Sequence, residues 1–378
     1  MENLPLDVLD KIIDFSIEIY PASVNTLPLI SKKFLSMLQA LDKPIGRVYA
    51  EEAEAVYERL QKPNRPWSVG SCFLRSLYQF STCMDLSPLE KCPTLHTVYV
   101  SASRITNVSA LTKCPKLHTL SISGDNRYVG IVTDITALGE CSTLSALQII
   151  SFSFSDMSAL ARCKALRSLD ISNCEKVTDV SALARCSTLR SLRVSGCRRV
   201  TDVSALGECK ALCALDISNC EKVTDVSALA KCQALHTLKM RFCSVSDVSV
   251  LGECKALRFL DIFFCDKVTD VSALARCAAL EYLNIGYCCV TDVSALAACV
   301  TLKELDISYC KNVIDVSALA RCTALQTLMM SGCEKVTTVS ALARCPALET
   351  ILFNECASVT DASTLLELHV ARKLFVMH

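Results

Sequence analysis

D-I-S-N-C-E-K-V-T-D-V-S-A-L-A-R-C, residues 170–186, is the stretch that decides the fold. Residues 170–184 return letter for letter at 216–230. Self-similarity at a fixed short period marks an array of small structural units. One cysteine punctuates each unit, at 92, 114, 141, 163, 186, 209, 232, 254, 277, 299, 322 and 345. Most units are 22 or 23 residues long, and the unit from Cys114 to Cys141 is longer. A worn further copy lies upstream in Leu74, Leu77 and D-L-S-P-L at 85–89.

The grammar inside a unit is clear in the copy that begins at Cys163. Leu166, Leu169 and Ile171 alternate with polar residues and lead to Cys174, which suits a short strand with Leu169 and Ile171 pointing inward. Val177, Val180 and Leu183 follow at intervals of three, the spacing of a tight 3-10-like return. One unit cannot bury its own apolar face, but stacked units share a continuous core beneath one long parallel sheet. Burial of that core is the main stabilising contribution.

The spacing Leu189, Leu192, Val194, Cys197 and its copy Leu302, Leu305, Ile307, Cys310 resemble the leucine-rich repeat family, as does the V-T-D-V-S-A-L return half. That resemblance spans roughly three quarters of the chain. It implies a curved leucine-rich repeat solenoid with strands on the concave side and 3-10 or irregular pieces on the convex side; with a small N-terminal helical domain read from the pattern of residues 1–40, the expected fold class is α/β. The expected organisation is a helical module over 1–40, a helical connector and cap over 41–73, the solenoid over 74–364 and a C-terminal cap over 365–378.

A solenoid escapes the size limit of a single globular core, so 378 residues fit one array. Lysine and arginine total 39 and so do aspartate and glutamate, which gives no electrostatic footprint for nucleic acid. The apolar runs are too short to span a bilayer. M-E-N-L-P has no basic segment followed by an apolar run, so no secretory signal is read and a cytoplasmic or nuclear location is expected.

Twenty-five cysteines invite a disulfide or metal reading. The repeat accounts for most of them: twelve hold the unit-start position, and Cys174, Cys197, Cys220, Cys243, Cys265, Cys288, Cys310, Cys333 and Cys356 hold the position after the strand. Both sets read as small buried residues with a weak S–H donor for the turn backbone. No C-x-x-C pair points to zinc, no cofactor is expected, and Cys288-Cys289 is the one irregular pair.

Residues 1–40 stand outside the array. Leu4 and Pro5 open a helical pattern, with Pro5 suited to a first turn. The series Leu4, Pro5, Asp7, Val8, Leu9, Ile12, Ile13 and then Ile30, Ser31, Lys32, Lys33, Phe34 resembles the F-box, although Phe34 stands where Trp is common and the stretch 16–26 is long. This resemblance implies docking through Leu4, Pro5, Leu9, Ile12, Ile13, Ile30 and Phe34 onto a Skp1-like adaptor and a cullin, and hence a substrate receptor of a ubiquitin ligase. A plain helical cap over the first coil is the competing reading. Further along, E-E-A-E-A-V-Y-E-R-L at 51–60 is rich in helix formers, Trp67 suits the junction, and the extra residues near 125–131 suit a protruding loop.

A partner surface is read by comparing units. Most concave positions carry small residues such as Ser168, Ser172, Ser191, Ser195, Ala214 and Ser218. Four consecutive units carry instead Lys239, Arg241 and Phe242; Phe259, Asp261, Phe263 and Phe264; Tyr282, Asn284 and Tyr287; and Glu304, Asp306 and Tyr309. Aromatics beside charges compose protein-binding hot spots, so a protein substrate is expected here. The alternative is that Phe242, Phe264, Tyr287 and Tyr309 lie down as a structural stack. Catalysis finds no constellation. His96, His118 and His236 share one outward repeat position, and the aspartate of V-T-D recurs at 134, 156, 179, 202, 225, 247, 270, 292, 315 and 361, as turn chemistry would require and a unique catalytic carboxylate would not. A non-enzymatic scaffold is the alternative to the ligase reading.

Overall fold

The computed structural model describes residues 47–50, 71–75, 86–101, 105, 108–124, 132, 134–363, 365 and 375–377. The expected head over 1–40, the helix over 51–60, Trp67 and the loop over 125–131 lie outside the described residues.

The alternating leucines form strands, as their period requires. The described strands build one fifteen-stranded, open and curved parallel sheet in strict chain order. Its strands are β1 (Arg47–Ala50), β2 (Ser71–Arg75), β3 (Thr97–Ser101), β4 (Thr119–Ser123), β5 (Ala146–Ile150), β6 (Ser168–Asp170), β7 (Ser191–Arg193), β8 (Ala214–Asp216), β9 (Thr237–Lys239), β10 (Phe259–Asp261), β11 (Tyr282–Asn284), β12 (Glu304–Asp306), β13 (Thr327–Met329), β14 (Thr350–Leu352) and β15 (Phe375–Met377). The sheet therefore starts upstream of residue 74: β1 lies inside the stretch expected as a helical connector, β2 straddles its end, and β2 pairs with both β1 and β3. R-V-Y-A and S-C-F-L-R carry the β-formers that pairing on a sheet favours. At the far end, β15 pairs parallel to β14.

Register is what makes the array a ladder. Leu169, Leu192, Leu215, Leu238, Leu260, Leu283, Leu305, Leu328 and Ile351 pair in one unbroken column from β6 to β14. All are buried, and each contributes about 1.5–3 kcal/mol relative to exposure. Each described unit then returns through a five-residue 3-10 turn, from Ser87–Lys91 to Ser340–Arg344. The leucine of S-A-L drops into the core from that turn, as Leu183 and Leu274 do.

The V-T-D aspartate starts each turn. Asp179 Oδ1 accepts the backbone N–H of Ser181 at 2.7 Å, and Asp134, Asp156, Asp202, Asp225, Asp247, Asp270, Asp292 and Asp315 do the same two residues on. This is the local bond that lets Asp initiate turns. Where Thr338 replaces the aspartate, Asp361 of the next coil reaches back and accepts from Val339 and Ser340 at 2.7 and 3.0 Å. The turn keeps its anchor by borrowing one.

The cysteines form two ladders along the core. Unit-start sulfurs donate to the leucine carbonyl of the preceding coil, as Cys186 does to Leu160 at 3.3 Å and Cys209 to Leu183 at 3.2 Å. Strand-end sulfurs donate one coil back on the other side, as Cys197 does to Ile171 and Cys265 to Met240 at 3.1 and 3.0 Å. The Leu160, Leu183 and Ile171 carbonyls already accept a backbone N–H within their own coil, so the thiol adds a second, inter-coil bond, and a serine there would bring a costlier hydroxyl into an apolar column. Burial pushes the thiols up, Cys163 to about 11 and Cys197 to about 12. All the cysteines with described surroundings are free thiols; among them Cys289 alone is exposed.

Candidate partner-binding face

Beside each strand-end cysteine the backbone makes a left-handed bend. Asn173, Gly196, Asn219, Phe242, Phe264, Tyr287, Tyr309, Gly332 and Glu355 occupy this one repeat position, with φ between 56° and 76°. Asparagine and glycine accept such a conformation readily, while bulky residues rarely do. Four successive coils nevertheless place aromatic rings there.

Those rings stack into a ladder. Centroids lie 5.1 Å apart for Phe242–Phe264, 5.3 Å for Phe264–Tyr287 and 4.4 Å for Tyr287–Tyr309, with interplanar angles of 28°, 31° and 19°. Phe263 meets Phe242 and Tyr287 edge-on at 5.7 and 5.2 Å. Two glycines make the room. A Cβ on Gly286 would come 3.1 Å from the Phe263 ring, and one on Gly332 would come 2.5 Å from the Tyr309 ring, so Tyr309 lies flat where the ladder ends. Its hydroxyl donates to Glu355 at 3.2 Å, and the Glu355 charge raises the Tyr309 pKa. Phe242, Phe264 and Tyr287 still show 39%, 41% and 37% of their surface. The rings thus lie down on one another, as the structural alternative anticipated, and also remain open to solvent.

Strain and stacking can be weighed. A non-glycine residue in a sparsely populated backbone region costs about 1–3 kcal/mol. An aromatic pair returns about 0.5–1.5 kcal/mol beyond its burial. Three ladder contacts and the two edges of Phe263 therefore return about what four strained residues take. Apart from the partial burial of the rings, stacking thus gives no surplus over a strain that Asn and Gly in the neighbouring coils largely avoid.

A second aromatic row stands on the strands. Phe259 and Tyr282 pair in register and stack at 4.1 Å with parallel planes, and Lys239 Nζ sits 5.5 Å from the Phe259 centroid, a cation–π arrangement. Glu304 follows Tyr282 in the same row and is exposed.

Three of the residues grouped with this surface serve the backbone first. Asp261 is fully buried, accepts the Phe263 N–H at 3.2 Å and pairs with Arg241. Asn284, 6% exposed, accepts the Gly286 N–H at 2.9 Å, and Asp306 accepts the Ser308 N–H at 2.8 Å. Asp170 and Asp216 hold the same bond in coils without aromatics. The D-I-S copies at 170, 216 and 306 carried this signal, since a carboxylate repeated with its serine two residues on implies a local turn bond. The left-handed position was signalled as well, by Asn173, Gly196, Asn219 and Gly332 recurring in one column.

Upstream the same face is hollow. Small and polar side chains from β3 to β9 line a groove of about 320 Å³, among them Ser121, Ser168, Ser191, Ala214 and Thr237. Arg193 lies within it, between Asp170 at 3.4 Å and Asp216 at 3.6 Å, so its charge is locally balanced. Lys239 joins the groove to the aromatic ledge. His96, His118 and His236 are exposed on the unit edge, as their shared position implied. Among the described residues no group of three His, Cys, Asp or Glu is placed to hold a metal, and no helix is long and apolar enough to cross a membrane.

Residues 185–206 match the Leucine Rich repeat family. No curated protein matches the chain by sequence. Among solved structures, internalin InlF of Listeria monocytogenes is similar, with a TM-score of 0.67 and 22% identity over 82% of this chain and 94% of that one. A leucine-rich repeat protein of Leptospira interrogans gives 0.48 at 12% identity over 89% of this chain and all of the other. The functional domain of Listeria monocytogenes InlJ, described as including a cysteine ladder, gives 0.46 at 14% identity over 71% of each chain. The likeness to InlF shows the fold: a leucine-rich repeat solenoid.

Proposed function

We propose that the protein is a non-catalytic protein-binding module, with the aromatic ledge of the concave face holding its partner. One observation carries this reading: four bulky residues occupy strained left-handed positions in consecutive coils where neighbouring coils use Asn and Gly, and three of them, Phe242, Phe264 and Tyr287, stay exposed. Strain that stacking alone does not offset is accounted for by a role outside the fold. Large exposed apolar patches on a soluble surface likewise mark interaction sites.

The finer reading is the substrate receptor of an SCF-type cullin-RING ubiquitin ligase. Its support is the F-box resemblance of Leu4, Pro5, Leu9, Ile12, Ile13, Ile30 and Phe34, which would engage a Skp1-like adaptor. The chain would make and break no bonds; it would raise the effective concentration of a substrate near the transferring enzyme. Affinity capture of the full chain followed by mass spectrometry tests both parts. Leu4→Ala with Pro5→Ala is expected to remove a Skp1-like adaptor and cullin while leaving ledge-bound partners. Phe259→Ser with Phe263→Ser is expected to do the reverse. If adaptor and cullin never appear but ledge-dependent partners do, the protein is a scaffold and the ligase reading falls.

A further inference from the structure

The partner's own conformation is legible in the ledge, on the premise that the ledge binds. β9 to β12 are interior strands, each paired on both sides, so no free backbone edge is available for an added strand. The ladder rings use their faces on one another, which leaves a row of edges facing out. Ring edges carry the positive side of the aromatic quadrupole and favour oxygen acceptors. A polyproline II chain offers carbonyls with no internal hydrogen bonds and needs no ladder of its own.

Spacing points the same way. Successive coils are set about 4.8 Å apart by strand pairing, so every second rung recurs at about 9.6 Å. One polyproline II turn advances about 9.3 Å, close to that interval. An α-helix advances about 5.4 Å per turn and drifts by about 0.6 Å at every rung. Aromatic rows of this kind are a recognised docking mode for proline-rich segments.

The charges fix a direction. Lys239 stands at the first end of the ledge and makes no ion pair among the described residues. Glu304 stands exposed at the other end, likewise without an ion pair among the described residues. Three strand steps and a two-residue offset along the strands separate them, about 16 Å, which about five polyproline II residues span.

We propose that the ledge receives an extended, proline-rich segment of a partner protein in the polyproline II conformation, with an acidic residue over Lys239 and a basic residue over Glu304. Calorimetric titration of the full chain with synthetic peptides tests this. The probes are Asp-Pro-Pro-Pro-Pro-Lys, its reversed order Lys-Pro-Pro-Pro-Pro-Asp, and the same charges on a Gly/Ser spacer and within a helical alanine-rich sequence. One order of the proline probe is expected to bind at least tenfold tighter than the Gly/Ser probe, and Lys239→Glu with Glu304→Lys is expected to exchange the preferred order. Equal binding of both orders, tighter binding of the helical probe, or no binding by any probe overturns the proposal. If no probe binds while Phe259→Ser with Phe263→Ser still strips captured partners, the peptide proposal alone fails. If that variant keeps every partner, the binding reading fails with it.

Discussion

The coils from Cys163 to Cys232 and those from Cys232 to Cys322 share one backbone and furnish it differently. Both stack the same leucine column, anchor their 3-10 turns through the same aspartate and pass the same bend at φ near 60°. The first group puts Asn173, Gly196 and Asn219 at that bend and leaves a hollow; the second puts Phe242, Phe264, Tyr287 and Tyr309 there and builds a ledge. The first shows what the architecture asks for. The second shows what is added to it, and the additions are where binding is expected.

The shared parts are expected to fail together. High pH strikes both groups hardest. The buried thiols have raised values, about 11 for Cys163 and about 12 for Cys310 against an ordinary 9.0. A raised folded value means the stabilisation is complete below about pH 9 and is lost as pH climbs toward 11–12. Circular dichroism across that window is expected to show one cooperative loss of the whole array; two separated transitions would split the groups. Next in size, Leu192→Ala and Leu260→Ala are each expected to cost about 2–5 kcal/mol in chemical denaturation, since both leave a cavity in one continuous column.

Smaller changes separate the groups. Asn219→Phe would force a ring into the left-handed bend beside Gly196, and a loss of about 1–3 kcal/mol is expected. A neutral result would show that the bend tolerates aromatics anywhere. Asp202→Ala and Asp247→Ala, one from each group, are each expected to lower the denaturation midpoint slightly by loss of the turn bond. Hydrogen bonds from Ser204 and Ser249 hold both carboxyls below their ordinary value. A lowered folded value means this contribution is present above the unfolded pKa near 3.8 and fades as pH falls through the folded one. Denaturation repeated in acid is expected to bring wild type and variant together.

Much of this was readable before any coordinates. The period, the strand-then-return grammar, the capping aspartates and the cysteine donors follow from residues that recur because geometry recurs. What escaped was of two kinds. Asp261, Asn284 and Asp306 looked like surface polar groups beside aromatics, yet their oxygens are engaged by backbone N–H groups two residues on. Alternation along a strand says which way a side chain starts but not that it curls back to its own turn. β1 escaped because its leucine spacing has worn away while its backbone pairing has not, whereas Leu74 in the worn upstream copy marked the end of β2. The ladder fell between its two readings, since stacking and exposure are independent and a sequence shows neither.

The measurement that bears most directly on the comparison combines Phe242→Asn, Phe264→Asn and Tyr287→Asn in one chain, which gives the second group the furnishing of the first. Strain removed and stacking lost are expected to cancel, so the melting temperature should move by no more than about 3 °C. Partners captured by the parent should be absent from the variant. A variant that melts far below the parent, or one that keeps its partners, would mean the ladder serves the fold and the ledge is no binding site.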